Sequence, residues 1–234
     1  ATVRGSILPT KASVHIYGNE ARELKREAET VEVRLDARTT SKAETEALGV
    51  DVGDFVYLDA RVEVTNGFIR SRHLDDKAGV AAIYGALLTL DRAGLAPRYR
   101  LDALISNYEE VGHGAATGIP DDVTELVTVD MAAASEVQNS DEFSVGICAK
   151  DSGGPYHLGL RRRLEQIAID HVIPYRTDIY PYYGSDGEST WRAGGDLAVA
   201  LIGPGVDASH SYERTHAESL EATIKLLVAY LLSA

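Results

Sequence analysis

Over the first 72 residues, apolar and polar positions alternate in short runs, a pattern typical of β-strands. Strict alternation predicts a strand at residues 31–35, and a second strand-like run occupies residues 55–58. Asn66-Gly67 separates two further runs, residues 62–64 and 68–70. This dipeptide indicates a β-hairpin, because a type I′ turn needs positive φ at both central residues. We therefore predict a small β-rich region at the start of the chain.

Helical signals are of two kinds. Ser41-Lys-Ala-Glu44 matches a capping box and predicts a short helix that stops at Gly49. Beyond Asp75, apolar residues at helical spacing predict three longer helices, of which the first ends near Gly94. Their apolar stripes are Val80, Ile83, Leu87 and Leu90, then Leu160, Leu164, Ile167 and His171, then Leu220, Ile224, Leu227, Val228 and Leu231.

Four apolar runs alternate with these helices and read as buried strands, at residues 101–106, 126–129, 175–180 and 197–202. Strands that alternate with helices imply a mostly parallel sheet flanked by helices. We therefore predict an α/β fold, with a partial small β-rich domain at residues 1–62 and an α/β domain at residues 63–234. Ligands of such sheets bind beyond the carboxyl ends of the strands, so chemistry is expected there.

Composition narrows the function classes. The 234 residues carry a net charge of −13 with no sizeable basic cluster, which argues against nucleic-acid binding. Cys148 is the only cysteine, so no internal disulfide forms, as is usual in a reducing compartment. The longest apolar run, residues 226–232, is too short to cross a membrane. No targeting motif is visible, and we expect a soluble cytoplasmic protein without a membrane or nucleic-acid partner.

Acidic residues and a histidine follow successive predicted strands. Asp75-Asp76 comes after the hairpin, Glu109-Glu110 after residues 101–106, Asp130 after residues 126–129, and His210 after the last strand. An isolated pair of carboxylates is most often a solvated loop charge. Here several acidic residues and a histidine follow successive strands, and this joint placement indicates the oxygen and nitrogen ligands of a zinc-type hydrolytic site.

Two motifs resemble a known family. Leu74-Asp75-Asp76-Lys77 and Glu109-Glu110-Val111-Gly112 are similar to the signatures of the tetrahedral, or glutamyl-type, aminopeptidases, and residues 44–53 resemble another segment of that family. Some members also carry an endoglucanase label. The resemblance runs along nearly the whole chain and implies a zinc-peptidase-like catalytic domain with two divalent cations, zinc or cobalt. It also implies that the partial β-rich domain is of the oligomerisation type.

The resemblance assigns a role to each matching residue. Asp75 would bridge the two cations, and Glu109 would be the general base. Asp76 would support catalysis from behind the site, after a cis peptide bond. Glu110 and His210 would bind one cation and Asp130 the other. The loop that lines the substrate pocket in the family corresponds here to residues 182–187, so Tyr183 and Asp186 are the expected substrate-binding residues.

The chain departs from the family pattern in three places. The family's first metal-binding histidine, in a His-x-Asp motif, has no counterpart, and the only such motif here contains His73 and the already assigned Asp75. Glu213 lies three residues after His210 rather than four, which keeps His216 as a minor candidate ligand. The family's Thr-Asp-Ala-Gly loop appears as residues 185–188, Ser-Asp-Gly-Glu, so substrate preference is open.

Together these observations predict a dinuclear metal-dependent aminopeptidase that acts on short peptides and forms a homo-oligomer, from dimer to dodecamer. Two alternatives stay open: a related zinc hydrolase that deacylates small N-acyl or amide metabolites, and a non-catalytic fragment or subunit that lacks one ligand. We expect Asp75, Glu110 and His210 to surround one cation. We expect Asp75 and Asp130 to converge on a second position without a local histidine, which an upstream segment or another chain would supply.

Overall fold

The computed structural model describes residues 2–233, and the chain divides into two compact units, residues 1–57 and 58–234. The first unit contains one antiparallel pair of strands, β1 (Gly5–Pro9) and β2 (Val31–Leu35). Its short helices are α1 (Val14–Tyr17), α2 (Asn19–Glu23) and α3 (Lys42–Glu46). No described residue of this unit is buried, so the unit contributes little hydrophobic stabilisation.

Of the elements predicted in the first unit, one strand and the short helix are present and a second strand is not. The strand predicted at residues 31–35 is β2, and the Ser41 hydroxyl caps α3 by accepting a hydrogen bond of 3.3 Å from the backbone N–H of Glu44. The Glu44 carboxylate accepts a bond of 2.6 Å from the Thr40 N–H, one residue before the position used in a capping box. The strand predicted at residues 55–58 is wrong. No described strand pairs with this run and its apolar side chains are exposed.

The second unit holds one mixed α/β arrangement. Its elements are β3 (Glu63–Thr65), β4 (Phe68–Ser71), α4 (Leu74–Ala93), β5 (Glu125–Val129), β6 (Ala132–Ala134), β7 (Val145–Lys150), α5 (Leu158–Asp170), β8 (Tyr175–Ile179), α6 (Asp186–Arg192), β9 (Ala198–Asp207), β10 (Glu213–His216) and α7 (Ala217–Leu232). The first compact unit ends at Tyr57 and the second begins at Leu58. The domain boundary predicted between residues 62 and 63 stays a prediction.

Within the described residues, eight strands form the central sheet, in which β3, β4, β10, β9, β7 and β8 lie in that order. β5 and β6 both run parallel to β9, and β7 runs parallel to β8. The hairpin, β10 and the β7–β9 pair are antiparallel. The predicted α/β class is confirmed. The sheet is mixed rather than mostly parallel, because β7 pairs antiparallel with β9 and the β3–β4 hairpin and β10 add further antiparallel strands.

The hairpin turn and the long helix follow their sequence signals. Asn66 and Gly67 have φ of 53° and 82°, as a type I′ turn requires. Helix α4 ends at Gly94, whose φ of 66° places it in the left-handed conformation that commonly terminates helices. None of the described helices is long and apolar enough to cross a membrane.

One predicted strand is absent. Residues 101–106 form no strand, and Leu101, Leu104 and Ile105 are exposed. No described strand pairs with this run, so its backbone has no ladder of hydrogen bonds, and its apolar side chains stay exposed. The strand predicted at residues 101–106 is therefore wrong. Its apolar composition was not sufficient, because a buried strand needs partners that the local sequence does not specify.

Both faces of the central sheet are covered by packed side chains. On one face, Ile147 and Ile202 pack with Leu164 of α5 and Leu226 of α7. On the other face lie the alternate residues of β9 together with aromatic side chains, namely Val199, Leu201, Tyr156, Tyr180 and Trp191. Each fully buried large side chain contributes about 1.5–3 kcal/mol of transfer free energy, so this double burial makes the sheet a rigid support.

Candidate metal centre and active site

A cavity of about 400 Å³ lies within the second unit at the carboxyl ends of strands. Asp130 directly follows β5, and His210 follows β9 after a short loop. Because β5 and β9 are parallel, both residues leave the sheet at the same edge. The residues predicted for the site that line this cavity are Asp75, Glu109, Glu110, Asp130, Tyr183 and His210.

The backbone at the start of α4 is irregular where Asp75 enters the cavity. Asp75 has φ of −81° and ψ of 106°, and Asp76 has φ of −117° and ψ of 41°, so neither residue is helical. The peptide bond between them is cis, as the resemblance implies. The Asp76 carboxylate turns into the helix and accepts a hydrogen bond of 3.1 Å from the Gly79 N–H. Asp76 is not among the cavity-lining residues, and its supporting role stays a prediction.

Asp75, Glu110 and His210 form a compact group of possible ligands. One oxygen or nitrogen atom from each side chain lies within 4.8 Å of the others. The Nε2 atom of His210 is 3.2 Å from Asp75 Oδ2 and 3.3 Å from Glu110 Oε2. Two carboxylate oxygens and one imidazole nitrogen are a donor set that suits a divalent cation such as zinc. The residues present therefore fit the metal that the resemblance implies.

Several carboxyl groups in and around this ligand group have raised pKa values. Burial raises the pKa of Asp75 to about 6, and the neighbouring Glu110 carboxylate adds to the rise. Burial and the charge of Asp75 hold the pKa of Asp130 well above its usual range, and burial and the charge of Asp130 do the same for Asp76. Such crowding of acids is unfavourable when all are ionised. A bound divalent cation would offset this repulsion.

Glu109 lies beside the ligand group and is not part of it. It begins a 3-10 turn, Glu109–Val111, and lines the cavity beside the ligand group. Burial raises its pKa to about 7, with the nearby charge of Asp186 as the next cause. A carboxyl group with a pKa near neutrality is suited to accept and return a proton at neutral pH.

Asp186 does not line the cavity. Its carboxylate accepts hydrogen bonds of 2.6 Å from the Ser106 hydroxyl and 2.9 Å from the Ala115 N–H. It therefore anchors both ends of the segment that carries Glu109. Tyr183 does line the cavity, and its hydroxyl donates a hydrogen bond of 2.8 Å to the carbonyl oxygen of Met131.

Neither of the two remaining histidine candidates lies in the cavity. His216 packs against the rings of Phe68 and Phe143, and its Nδ1 atom accepts a hydrogen bond from the Glu218 N–H at the start of α7. His73 occupies the residue before α4 and is exposed. Among the described residues, neither His73 nor His216 therefore joins Asp75 and Asp130 in the cavity, where His210 is the histidine present.

Three residues gain importance only from the structure. Glu188 and Arg192 line the cavity from α6 and form an ion pair 2.5 Å long. Burial raises the pKa of Glu188 to about 7, and a hydrogen bond with buried Asp151 adds to the rise. Glu213 is buried and accepts hydrogen bonds from the backbone N–H groups of Asp75 and His210. In the sequence, Glu188 and Glu213 stood out only as departures from a motif, and Arg192 carried no signal.

Known proteins are similar to this chain in sequence and in fold. The family model described as M42 glutamyl aminopeptidase matches residues 1–226. The chain is 48% identical over 230 residues to "Putative aminopeptidase YhfE" of Bacillus subtilis, covering 98% of this chain and 66% of the relative.

Two solved structures give the same picture of the fold. A TET aminopeptidase of the archaeon Thaumarchaeota archaeon SCGC AB-539-E09 has a TM-score of 0.83 at 20% identity, covering 97% of this chain and 66% of that one. The Pyrococcus horikoshii TET1 peptidase has a TM-score of 0.71 at 23% identity, covering 91% and 65%. The chain thus spans slightly less than two thirds of the length of these proteins. On the family match over nearly all of its residues, the chain belongs to the M42 glutamyl aminopeptidase family of peptidases.

Proposed function

We propose that this chain carries the active site of a metal-dependent aminopeptidase that removes the first residue of short peptides. The observation that carries the proposal is the placement of Glu109 in one cavity with the Asp75, Glu110 and His210 group. A general base beside a cluster of cation ligands is the arrangement that metal-assisted hydrolysis requires.

The chemistry is divided between the cations and the side chains. Two divalent cations, zinc or cobalt, would act as Lewis acids on the scissile carbonyl and acidify a bound water. Asp75 would contact both cations, with Glu110 and His210 on one and Asp130 on the other. A cation at Asp130 would need at least one further ligand from outside this group, since two carboxylates alone would leave zinc short of protein ligands.

Glu109 carries the proton in this mechanism. It takes a proton from the attacking water and later delivers it to the nitrogen of the leaving amine. Burial, with the nearby charge of Asp186, raises its pKa above that of a free glutamate, which supports the return of the proton. Asp186 assists by holding Ser106 and Ala115, so that the Glu109 segment keeps its position while the proton moves.

The cavity charge favours substrates with a protonated amino terminus. Five carboxylate side chains line it, those of Asp75, Glu109, Glu110, Asp130 and Glu188, against the single Arg192 among the cavity-lining residues that the structure describes. Bound cations would offset most of this charge, so an ammonium group would be drawn to the two carboxylates that hold no cation, Glu109 and Glu188. We propose that Tyr183 forms part of the wall for the first side chain. Asp186 would act on the substrate only through the Glu109 segment.

Assembly and location are further parts of the proposal. The P. horikoshii TET1 peptidase can assemble into a tetrahedron or a large octahedral shell. By analogy we propose a homo-oligomer, from dimer to dodecamer, that acts in the cytoplasm on peptides.

The test uses the complete natural polypeptide, stripped of metal with a chelator and then supplied with cobalt or zinc. Aminoacyl anilides with a free amino group should be cleaved only after metal is added. The matched control is the same anilide with an acetylated amino group, which should stay intact. Cleavage of N-acyl amino acids without cleavage of the free anilides would support the deacylase instead. No metal-dependent cleavage of either class would contradict both enzymes.

A further inference from the structure

Glu213 connects two of the candidate cation ligands through their backbones. It is the first residue of β10 and only 2% exposed. One of its carboxylate oxygens, Oε2, accepts a hydrogen bond of 3.1 Å from the backbone N–H of Asp75. The other, Oε1, accepts one of 3.0 Å from the backbone N–H of His210. A single buried carboxylate therefore ties together two segments, of which the Asp75 segment is 138 residues away in the sequence.

Both tied segments have backbones that regular structure does not hold. Asp75 lies at the irregular start of α4, where its N–H group has no helical partner. His210 has φ of 63°, in the left-handed region that residues other than glycine seldom adopt. Because no helix or strand ladder fixes either residue, the hydrogen bonds that these two N–H groups donate to Glu213 are what hold them in place.

Strand pairing places Glu213 between the two segments. Within the sheet it lies opposite Ser71 of β4, shortly before Asp75 in the chain. Its neighbour Arg214 lies opposite Asp207 of β9, shortly before His210. The register of β10 thus brings the carboxylate to the point where both ligand segments leave the sheet. An ionised carboxylate is well suited to this place because its two oxygens are both acceptors, whereas an amide offers one acceptor and one donor.

We propose that Glu213 is a positioning residue that orients the backbones of Asp75 and His210, so that their side chains meet Glu110 around one cation. This inference rests on the metal site of the proposed function. Glu213 itself contacts no cation in this proposal and takes no part in the proton transfer. Its effect appears as cation affinity, because ligands that are held in place beforehand lose less freedom when they bind.

The experiment compares Glu213→Gln with the control Thr215→Val in the complete natural polypeptide. Thr215 lies on the same strand, is fully buried, and donates a hydrogen bond of 2.6 Å to the Gly205 carbonyl oxygen, away from the ligands. Each variant therefore loses a buried hydrogen bond, and only one of the two losses concerns the ligand backbones. Cobalt(II) is titrated into metal-stripped protein, and urea unfolding of the metal-free form reports stability.

We expect Glu213→Gln to weaken cobalt binding about 10- to 100-fold, the usual effect of losing a residue that orients a ligand. Thr215→Val should keep the wild-type cobalt affinity, although both variants unfold at lower urea concentrations. Equal cobalt affinity in Glu213→Gln and wild type would overturn the proposal, as would an equal loss in both variants.

A second variant covers the case in which Glu213→Gln does not fold. Glu213→Asp keeps the charge, but its shorter side chain cannot reach both N–H groups at once, so we expect weaker cobalt binding than in wild type. Wild-type affinity in Glu213→Asp would contradict the proposal. A wild-type protein that binds no cobalt or zinc would overturn the metal site itself, and with it the proposed function. Metal binding by wild type with no effect of Glu213 would overturn this inference alone.

Discussion

Replacement of Asp75 by asparagine should stabilise the metal-free protein while removing its metal site. The Asp75 side chain is only 9% exposed. Its pKa rises from 3.8 to about 6 through burial and the charge of Glu110. A shift of roughly two pKa units corresponds to about 3 kcal/mol at 1.36 kcal/mol per unit. Asparagine has nearly the same shape without the charge, so this penalty disappears.

The sign of the pH dependence follows from the direction of the shift. Below a pH of 3.8 the Asp75 carboxyl is protonated in both the folded and the unfolded protein. Between 3.8 and about 6 the folded state binds a proton that the unfolded state has released, so stability falls as pH rises. Above about 6 the whole penalty is present. Asp75→Asn should therefore exceed wild type in unfolding free energy by about 3 kcal/mol near pH 8, and by about half of that near pH 5.

The assay is urea unfolding of metal-stripped wild type and Asp75→Asn at both pH values. Saturating cobalt should then stabilise only the wild type, by about 2.7 kcal/mol at a concentration 100-fold above its dissociation constant. The reasoning would be refuted if the metal-free variant were less stable than wild type near pH 8. It would also be refuted if the difference were the same at both pH values, because an advantage from a lost charge must follow its titration.

Three further outcomes are expected. Glu109→Gln should lower turnover by at least about 10²-fold while bound metal stays near the wild-type amount; lost metal with full turnover per ion would contradict its role as base. Leu226→Ala should lower the free energy of unfolding, measured in urea, by about 2–5 kcal/mol, because Leu226 is fully buried in the core. A smaller loss would show that neighbouring side chains fill the space left by Leu226. Gly203→Ala should lower the melting temperature and cobalt affinity together, since its Cβ would lie 1.6 Å from the Asp130 carbonyl oxygen; unchanged affinity would show that Asp130 tolerates the shift.

The sequence alone was sufficient for features that depend on near neighbours. The Asn66-Gly67 turn, the end of α4 at Gly94 and the Ser41 cap each follow from the conformations or hydrogen bonds of a few adjacent residues. Amphipathic periodicity likewise predicted the long helices and the α/β class. The motifs around Asp75 and Glu109 indicated the family, because its catalytic residues lie in short local patterns.

The tertiary structure decided everything that depends on residues far apart in the chain. Residues 101–106 have the composition of a strand, yet they form none because the described residues supply no pairing partner. Asp186 was expected to meet substrate, but its carboxylate is engaged by Ser106 and Ala115 instead. The role of Glu213 could not be read from its spacing to His210. Hydrogen bonds and burial between distant segments are set by packing of the whole sheet, and a single sequence contains no local signal for them.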